Sequence, residues 1–309
     1  MECLCWTVLK RKHPLIRHHV LVVNEYNDVN RYMYDCQMFE YVLFVFNKHK
    51  NLTIDTDSYM VQIMKCKDDM KDIRYNIKLI YKTSVLGHTY IINENQPLYA
   101  CLKEWYIQNY LEVEQLRHDQ FCWHVPHVIV FDLDSTLITE EKHVRIRCEN
   151  VYDSLLTLKS MGCVLILWSY GNSEHVTHSL KTTKLTDFFD TIICRGYKTD
   201  NVKAVTASRG KVRQDDKNNL VFVDKSFYLD IDDGDRLPKS PRIILWYLRK
   251  LGVNHLKSLT LVDDLKCNDY SYDYFVNVNK CPLPRDDWDI YHEIIVGNIK
   301  DYETTFENL

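Results

Sequence analysis

The run Val128-Ile129-Val130-Phe131-Asp132-Leu133-Asp134-Ser135-Thr136-Leu137 decides how this chain reads. Its first four residues are apolar without alternation, the mark of a strand buried on both faces, as in a parallel sheet covered by helices. Two carboxylates, two residues apart, follow that strand directly. Close carboxylates repel one another, so a chain that keeps them together offers either a shared proton or a seat for a hard cation such as Mg²⁺.

Further apolar runs follow toward the C-terminus, at Val164–Trp168, Thr191–Cys194, Leu259–Val262 and Tyr274–Val278. Helical patterns separate them, at Val151–Met161, Ser173–Leu185, Pro241–Leu251 and Trp288–Ile299. That alternation predicts a doubly wound α/β domain over 121–309, in which ligands bind beyond the carboxyl ends of the strands. Three strand ends carry chemistry: Asp132 with Asp134, Ser169 in Leu167-Trp168-Ser169-Tyr170-Gly171-Asn172, and the pair Asp263-Asp264. Residues 1–120 mix short β-rich runs, Ile77–Tyr81 and Thr89–Ile92, with an amphipathic stretch, Leu98–Leu116, of helical spacing. They predict an α+β N-terminal domain. Tyr99, Trp105, Tyr106 and Tyr110 of that stretch are expected in its core or at the subunit interface of a homo-oligomer.

The chain has 309 residues, 46% hydrophobic and 27% charged, which excludes a disordered, collagenous or coiled-coil protein. Lys and Arg number 39 against 43 Asp and Glu, a net charge of −4, so no global basic field exists and direct binding of nucleic acid is not expected. The run Arg11, Lys12, His13, Arg17, His18 and His19 reads first as a solvated face. The apolar runs fall far short of the ~20 residues of a membrane span. No membrane partner is expected, and the start of the chain is the reverse of a secretory signal. Eleven cysteines without regular spacing suit reduced thiols in a cytosolic or nuclear compartment. Cys122-x-His124-x-x-His127 has metal-ligand residue types but no second cluster to complete a zinc site, so packing is expected. His292-Glu293 lacks the second histidine of a zinc protease helix.

Asp132-Leu133-Asp134-Ser135-Thr136, Ser169, Lys239 and Asp263-Asp264 resemble, in chain order, the four motifs of the haloacid dehalogenase-like superfamily, over about residues 126–300. The resemblance implies a doubly wound parallel sheet with a small insert at 195–238 and no large cap. It implies a phosphoprotein phosphatase in which Asp132 is the nucleophile, Asp134 the general acid and base, and Ser169 a donor to a phosphoryl oxygen. The presence of Asp134 favours phosphatase over dehalogenase chemistry. Lys239 would neutralise charge on the transferring group, with Lys225 as its rival for that role. The implied cofactor is Mg²⁺, held by Asp132, the backbone carbonyl of Asp134 and Asp264, with Asp263 in support and Asn268 or Asp269 behind.

Taken whole, the chain resembles the baculovirus nucleocapsid-assembly proteins of the 38K type. That likeness implies the host nucleus and the virion nucleocapsid as its place, and other nucleocapsid proteins as partners. The substrate it implies is a phosphorylated, Arg-rich, DNA-condensing protein, to which the acidic stretch Asp230–Asp235 would be attractive. The rival reading is a non-catalytic structural protein of nucleocapsid assembly that uses the same fold for docking.

Overall fold

In the computed structural model the described residues are 4–15, 17–23, 25–31, 39–46, 53–66, 70–87, 89–91, 107–108, 125–140, 144–194, 213–215, 220–223, 239–253 and 255–306. They form an α/β protein of two compact units. The first unit comprises Met1–Val125, Pro241–Lys257 and Thr305–Leu309, and the second Pro126–Ser240 and Ser258–Thr304. The division 1–120 and 121–309 read from the sequence is contiguous, whereas this one assigns two C-terminal segments to the first unit.

The first unit is a mixed sheet. Its strands are β1 (Leu4–Arg11), β2 (Val20–Val22), β3 (Tyr41–Val45), β4 (Tyr59–Cys66), β5 (Leu86–Gly87), β6 (Thr89–Ile91) and β7 (Ile107–Gln108). Six of them form one sheet in the order β4-β1-β3-β2-β6-β7, antiparallel on both sides of β1 and parallel from β3 onward. Helix α1 spans Tyr26–Arg31 and helix α2 spans Met70–Tyr81. Ile77–Tyr81, expected as a strand, is thus the last part of a helix. The β-branched and aromatic residues there suggest a strand, but Ile73 and Ile77, four apart, are the fully buried pair, and that period belongs to a helix. Within the stretch Leu98–Leu116, expected as a helix, the described residues Ile107–Gln108 are strand β7, paired with β6. The four aromatic residues assigned to that helix lie outside the described residues.

The second unit carries the parallel sheet. Its strands are β8 (Val128–Phe131), β9 (Val164–Ser169), β10 (Thr191–Cys194), β11 (Arg213–Asp215) and β12 (Leu220–Val223). Helices α3 (Asn150–Ser160) and α4 (Ser173–Thr182) link β8 to β9 and β9 to β10. The chain passes through α5 (Pro241–Lys250) and β13 (His255–Leu256), both in the first unit, and returns as β14 (Leu259–Asp263), β15 (Tyr274–Asn277) and α6 (Trp288–Phe306). The sheet order is β11-β12-β10-β9-β8-β14-β15. Strands β10, β9, β8, β14 and β15 are successively parallel, β12 continues the set, and β11 pairs antiparallel at the edge. The described part of 195–238, read as an insert, is built into this sheet, since Leu220–Val223 has the apolar run that an inner parallel strand requires. Its acidic stretch and Lys225 lie outside the described residues.

The apolar runs explain the sheet. Ile129, Phe131, Leu165 and Leu167 are completely buried beside Val151, Leu155 and Leu158 of α3 and Val176 and Leu180 of α4. Each such side chain contributes about 1.5–3 kcal/mol by leaving water. Helix α4 starts where Asn172 Oδ1 accepts the His175 amide at 2.8 Å, an N-cap that satisfies one of the free donors of the first turn. No helix among the described residues is long and apolar enough to cross a membrane.

Candidate active site

Strand order brings the carboxylates together. From β8 the chain steps to β9, β10 and β12 on one side, then returns to β14 and β15 on the other. The switch point therefore lies between β8 and β14, the place beyond the carboxyl ends of the strands where open α/β sheets bind their ligands. Phe131 is opposite Val262, and the Asp132 amide donates to the Val262 carbonyl at 3.0 Å. Asp132 and Asp263 consequently leave the sheet side by side.

Lys239 lies completely buried between them. Its Nζ donates to Asp132 Oδ1 and, at 2.8 Å, to Asp263 Oδ2. Asp263 is also held by the Asn268 amide, which reaches both carboxylate oxygens at 3.0 and 2.9 Å, and by the Leu265 N–H at 2.8 Å. Its lone pairs are largely occupied by protein donors. Burial pushes the Asp132 carboxyl up to about 6, with the negative charge of Asp263 adding to the rise and the Lys239 ammonium opposing it. Asp264, half-buried, is also raised, by burial and then by Asp263.

Asp132, Asp263 and Asp264 each offer a carboxylate oxygen within 4.8 Å of the others, the one such cluster among the described residues. An all-oxygen donor set with three carboxylates suits a hard divalent cation. The Asp134 side chain lies outside that cluster. Its Oδ2 accepts from Ser169 Oγ at 3.1 Å, and its Oδ1 lies 2.7 Å from His175 Nε2. Ser169 in turn accepts the Gly171 N–H at 3.0 Å. All six residues singled out in the sequence are thus gathered at one end of the second unit, in two sets: Asp132, Lys239, Asp263 and Asp264, and Asp134 with Ser169. Tyr170, whose ring centre is 5.4 Å from Lys239 Nζ, flanks the first set.

Two participants carry no signal in the sequence. His175 is one. The other is Arg147, completely buried under the loop that carries Asp134. Ser135 in that loop has φ 63°, a left-handed turn disfavoured for a residue with a Cβ. Arg147 secures it by donating to the Thr136 carbonyl at 2.9 Å and the Asn279 carbonyl at 2.8 Å, while Nε and Nη2 grip Asp287 at 2.7 and 3.1 Å. Arg147→Met removes these donors and leaves Asp287 with Arg285, whose Nε lies 3.2 Å from Oδ2. It is expected to cost about 3 kcal/mol in urea unfolding, as for a broken buried ion pair, and an unchanged midpoint would contradict this role.

The remaining candidates serve packing. His127 Nδ1 bonds Ser258 Oγ at 2.7 Å and its Nε2 lies 3.5 Å from Glu303. Cys122 and His124 lie outside the described residues. His292 Nδ1 pairs with Ser154 Oγ at 2.8 Å, tying α6 to α3. In the basic run, Arg11 lies on the Tyr59 ring and Lys12 Nζ donates to the Thr56 carbonyl at 3.0 Å.

Comparison with known proteins adds the family. Residues 4–307 match the model described as protein of unknown function (DUF705). The chain belongs to the DUF705 family. An uncharacterized 38.0 kDa protein in the P143-LEF5 intergenic region of Autographa californica nuclear polyhedrosis virus is 43% identical over 97% of each chain. An uncharacterized 36.0 kDa protein of Orgyia pseudotsugata multicapsid polyhedrosis virus is 39% identical over 99% of this chain and 98% of its own. An uncharacterized 41.0 kDa protein of Cryptophlebia leucotreta granulosis virus is 38% identical over 98% and 87%. This DUF705 chain is accordingly a viral protein of the baculovirus kind.

Proposed function

We propose that this DUF705 protein is a Mg²⁺-dependent phosphatase of the haloacid dehalogenase-like type, working through an aspartyl phosphate. The observation that carries the reading is the buried Lys239 ammonium bonded to both Asp132 and Asp263 at the switch point of the sheet. Asp132, Asp263 and Asp264 cluster around that ammonium, a concentration of negative charge that a divalent ion would relieve. Asp132 and Asp264 would hold Mg²⁺, with Asp263, already engaged by Asn268 and Leu265, orienting them. Bound there, Mg²⁺ would supply positive charge to the oxygens of the transferring group.

In the first step an Asp132 oxygen attacks phosphorus, the ester P–O bond breaks, and Asp134 gives its proton to the departing oxygen. In the second, Asp134 takes a proton from water as the water oxygen attacks phosphorus, the bond to Asp132 breaks and inorganic phosphate leaves. The Ser169 hydroxyl turns from Asp134 to a phosphoryl oxygen. Lys239 balances the charge that develops between Asp132 and phosphorus.

The substrate we assign is a phosphorylated basic protein of the nucleocapsid, acted on in the host nucleus. The acidic stretch Asp230–Asp235 would draw such a protein by opposite charge. Loss of phosphates worth about −1.5 to −2 charge each would return its cations to DNA. Hydrolysis of 4-nitrophenyl phosphate, with and without Mg²⁺, beside Asp132→Asn and Asp134→Asn, tests the chemistry. Mg²⁺-dependent turnover absent from both variants is the expected result. Turnover equal to that of the variants would overturn it in favour of a docking role.

A cation site also predicts a thermal shift. Mg²⁺ at a hundredfold excess over its Kd should stabilise the wild-type chain by about 2.7 kcal/mol. Asp264→Asn should abolish most of that gain. An equal Mg²⁺ response in both proteins would place the ion elsewhere.

A further inference from the structure

A second residue reaches the acid of this site, and its role rests on the phosphatase reading. Helix α4 begins at the Asn172 cap, which fixes the amide of His175 at 2.8 Å and so sets the first turn. From that turn the imidazole reaches back to Asp134, Nε2 to Oδ1 at 2.7 Å. The path is kept open by Gly171. A Cβ at that position would stand 2.8 Å from His175 Cδ2 and 3.1 Å from Ser169 Oγ, closer than the imidazole tolerates without moving away. Cap, glycine and contact distance are three separate features that put one side chain in one place.

We propose that His175 is a positioning residue for Asp134. With the imidazole proton on Nε2, His175 donates to Oδ1 and holds that oxygen, so Oδ2 carries the proton passed to the leaving group. The need for such a tether follows from exposure. The Asp134 side chain is 39% exposed, whereas Asp132 and Asp263 are buried against Lys239. Once Ser169 turns to the phosphoryl group, His175 is the side chain that still holds Asp134 among the described residues. Without it the carboxylate turns toward water for part of the time, and a misplaced acid loses rate without losing substrate affinity.

The test compares phenyl phosphate, whose leaving group needs a proton, with 4-nitrophenyl phosphate, whose leaving group needs little. His175→Ala should lower kcat/KM, which in a two-step transfer reports only the step that expels the leaving group, roughly 10²-fold on phenyl phosphate and less than ~5-fold on the nitrophenyl ester, with the inhibition constant of inorganic phosphate almost unchanged. His175→Gln, which keeps an N–H donor, should recover most of the loss. Should His175→Ala fail to fold, His175→Leu, which keeps side-chain bulk and removes the donor, should show the same difference between the esters. Equal losses of kcat/KM on both esters, or none on either, would overturn the proposal. The two-bond ¹H–¹⁵N spectrum of the imidazole gives a readout independent of turnover. The Nε2–H form is expected to be more populated in the wild-type chain than in Asp134→Leu, which has no acceptor. Turnover with the proton on Nδ1 would overturn the role of His175 alone. No turnover of either ester with the Nε2–H form intact would overturn the phosphatase reading and, with it, the positioning role of His175.

Discussion

Asp132→Asn is expected to lower kcat for a phosphate monoester by at least ~10³-fold, because the amide cannot attack phosphorus. The same change should stabilise the fold. The carboxyl of Asp132 is pushed up to about 6 by burial and by Asp263, even with Lys239 bonded to it. An unfolded aspartate titrates near ~3.9. Between those values the folded protein keeps a proton that the unfolded chain has released, so stability from this group falls as pH rises through the window. The asparagine variant has no such loss. Its advantage in urea unfolding should be absent below about pH 4 and grow as pH rises through about 6. Activity lost together with stability would instead identify a folding defect.

Lys239→Met should have the opposite effect on stability. The ammonium is fully buried and is the cation bonded to Asp132 and Asp263. Removing one partner of a buried ion pair costs about 3–5 kcal/mol, since the carboxylates keep their desolvation without their partner. Asp132, already raised with the lysine present, goes higher without it. The variant should therefore approach wild-type stability toward pH 4, where the Asp132 carboxyl is protonated, and diverge as pH rises. Mg²⁺ should narrow the gap, because a cation held by Asp132 and Asp264 replaces part of the missing charge. Turnover should fall at least ~10²-fold even in Mg²⁺, for want of the charge beside phosphorus. A Lys239→Met protein as stable as wild type at pH 7 would contradict the ion-pair geometry.

These opposite expectations come from one cluster with more negative than positive charge. A site built for stability alone would balance its charges or replace them with apolar side chains. Here burial raises the Asp132 carboxyl, and the like charges meet at the switch point of the sheet, where a ligand crevice is expected. The DUF705 match spans residues 4–307, and the same Mg²⁺ shift can be measured on each of the three viral relatives.

The sequence by itself determined the parallel sheet and the positions of its acids. Val128–Phe131, Val164–Trp168 and Leu259–Val262 are apolar without alternation, a local property visible residue by residue, and each is followed by the polar group that the strand end displays. The helix at Ile77–Tyr81 escapes a local reading because β-branched and aromatic residues suit a strand over five residues, and only burial of Ile73 with Ile77 exposes the helical period. Tertiary structure alone decided which strand ends are neighbours. Asp132 meets Asp263 because β14 returns beside β8, and Lys239 meets both because the last residues of the second unit's first segment, which ends at Ser240, run between these strand ends. Arg147 and His175 belong to that same class. A hydrogen bond reaches about 3 Å, and whether two residues come within that reach depends on strand order, which the packing of the whole sheet sets and no local stretch of sequence contains.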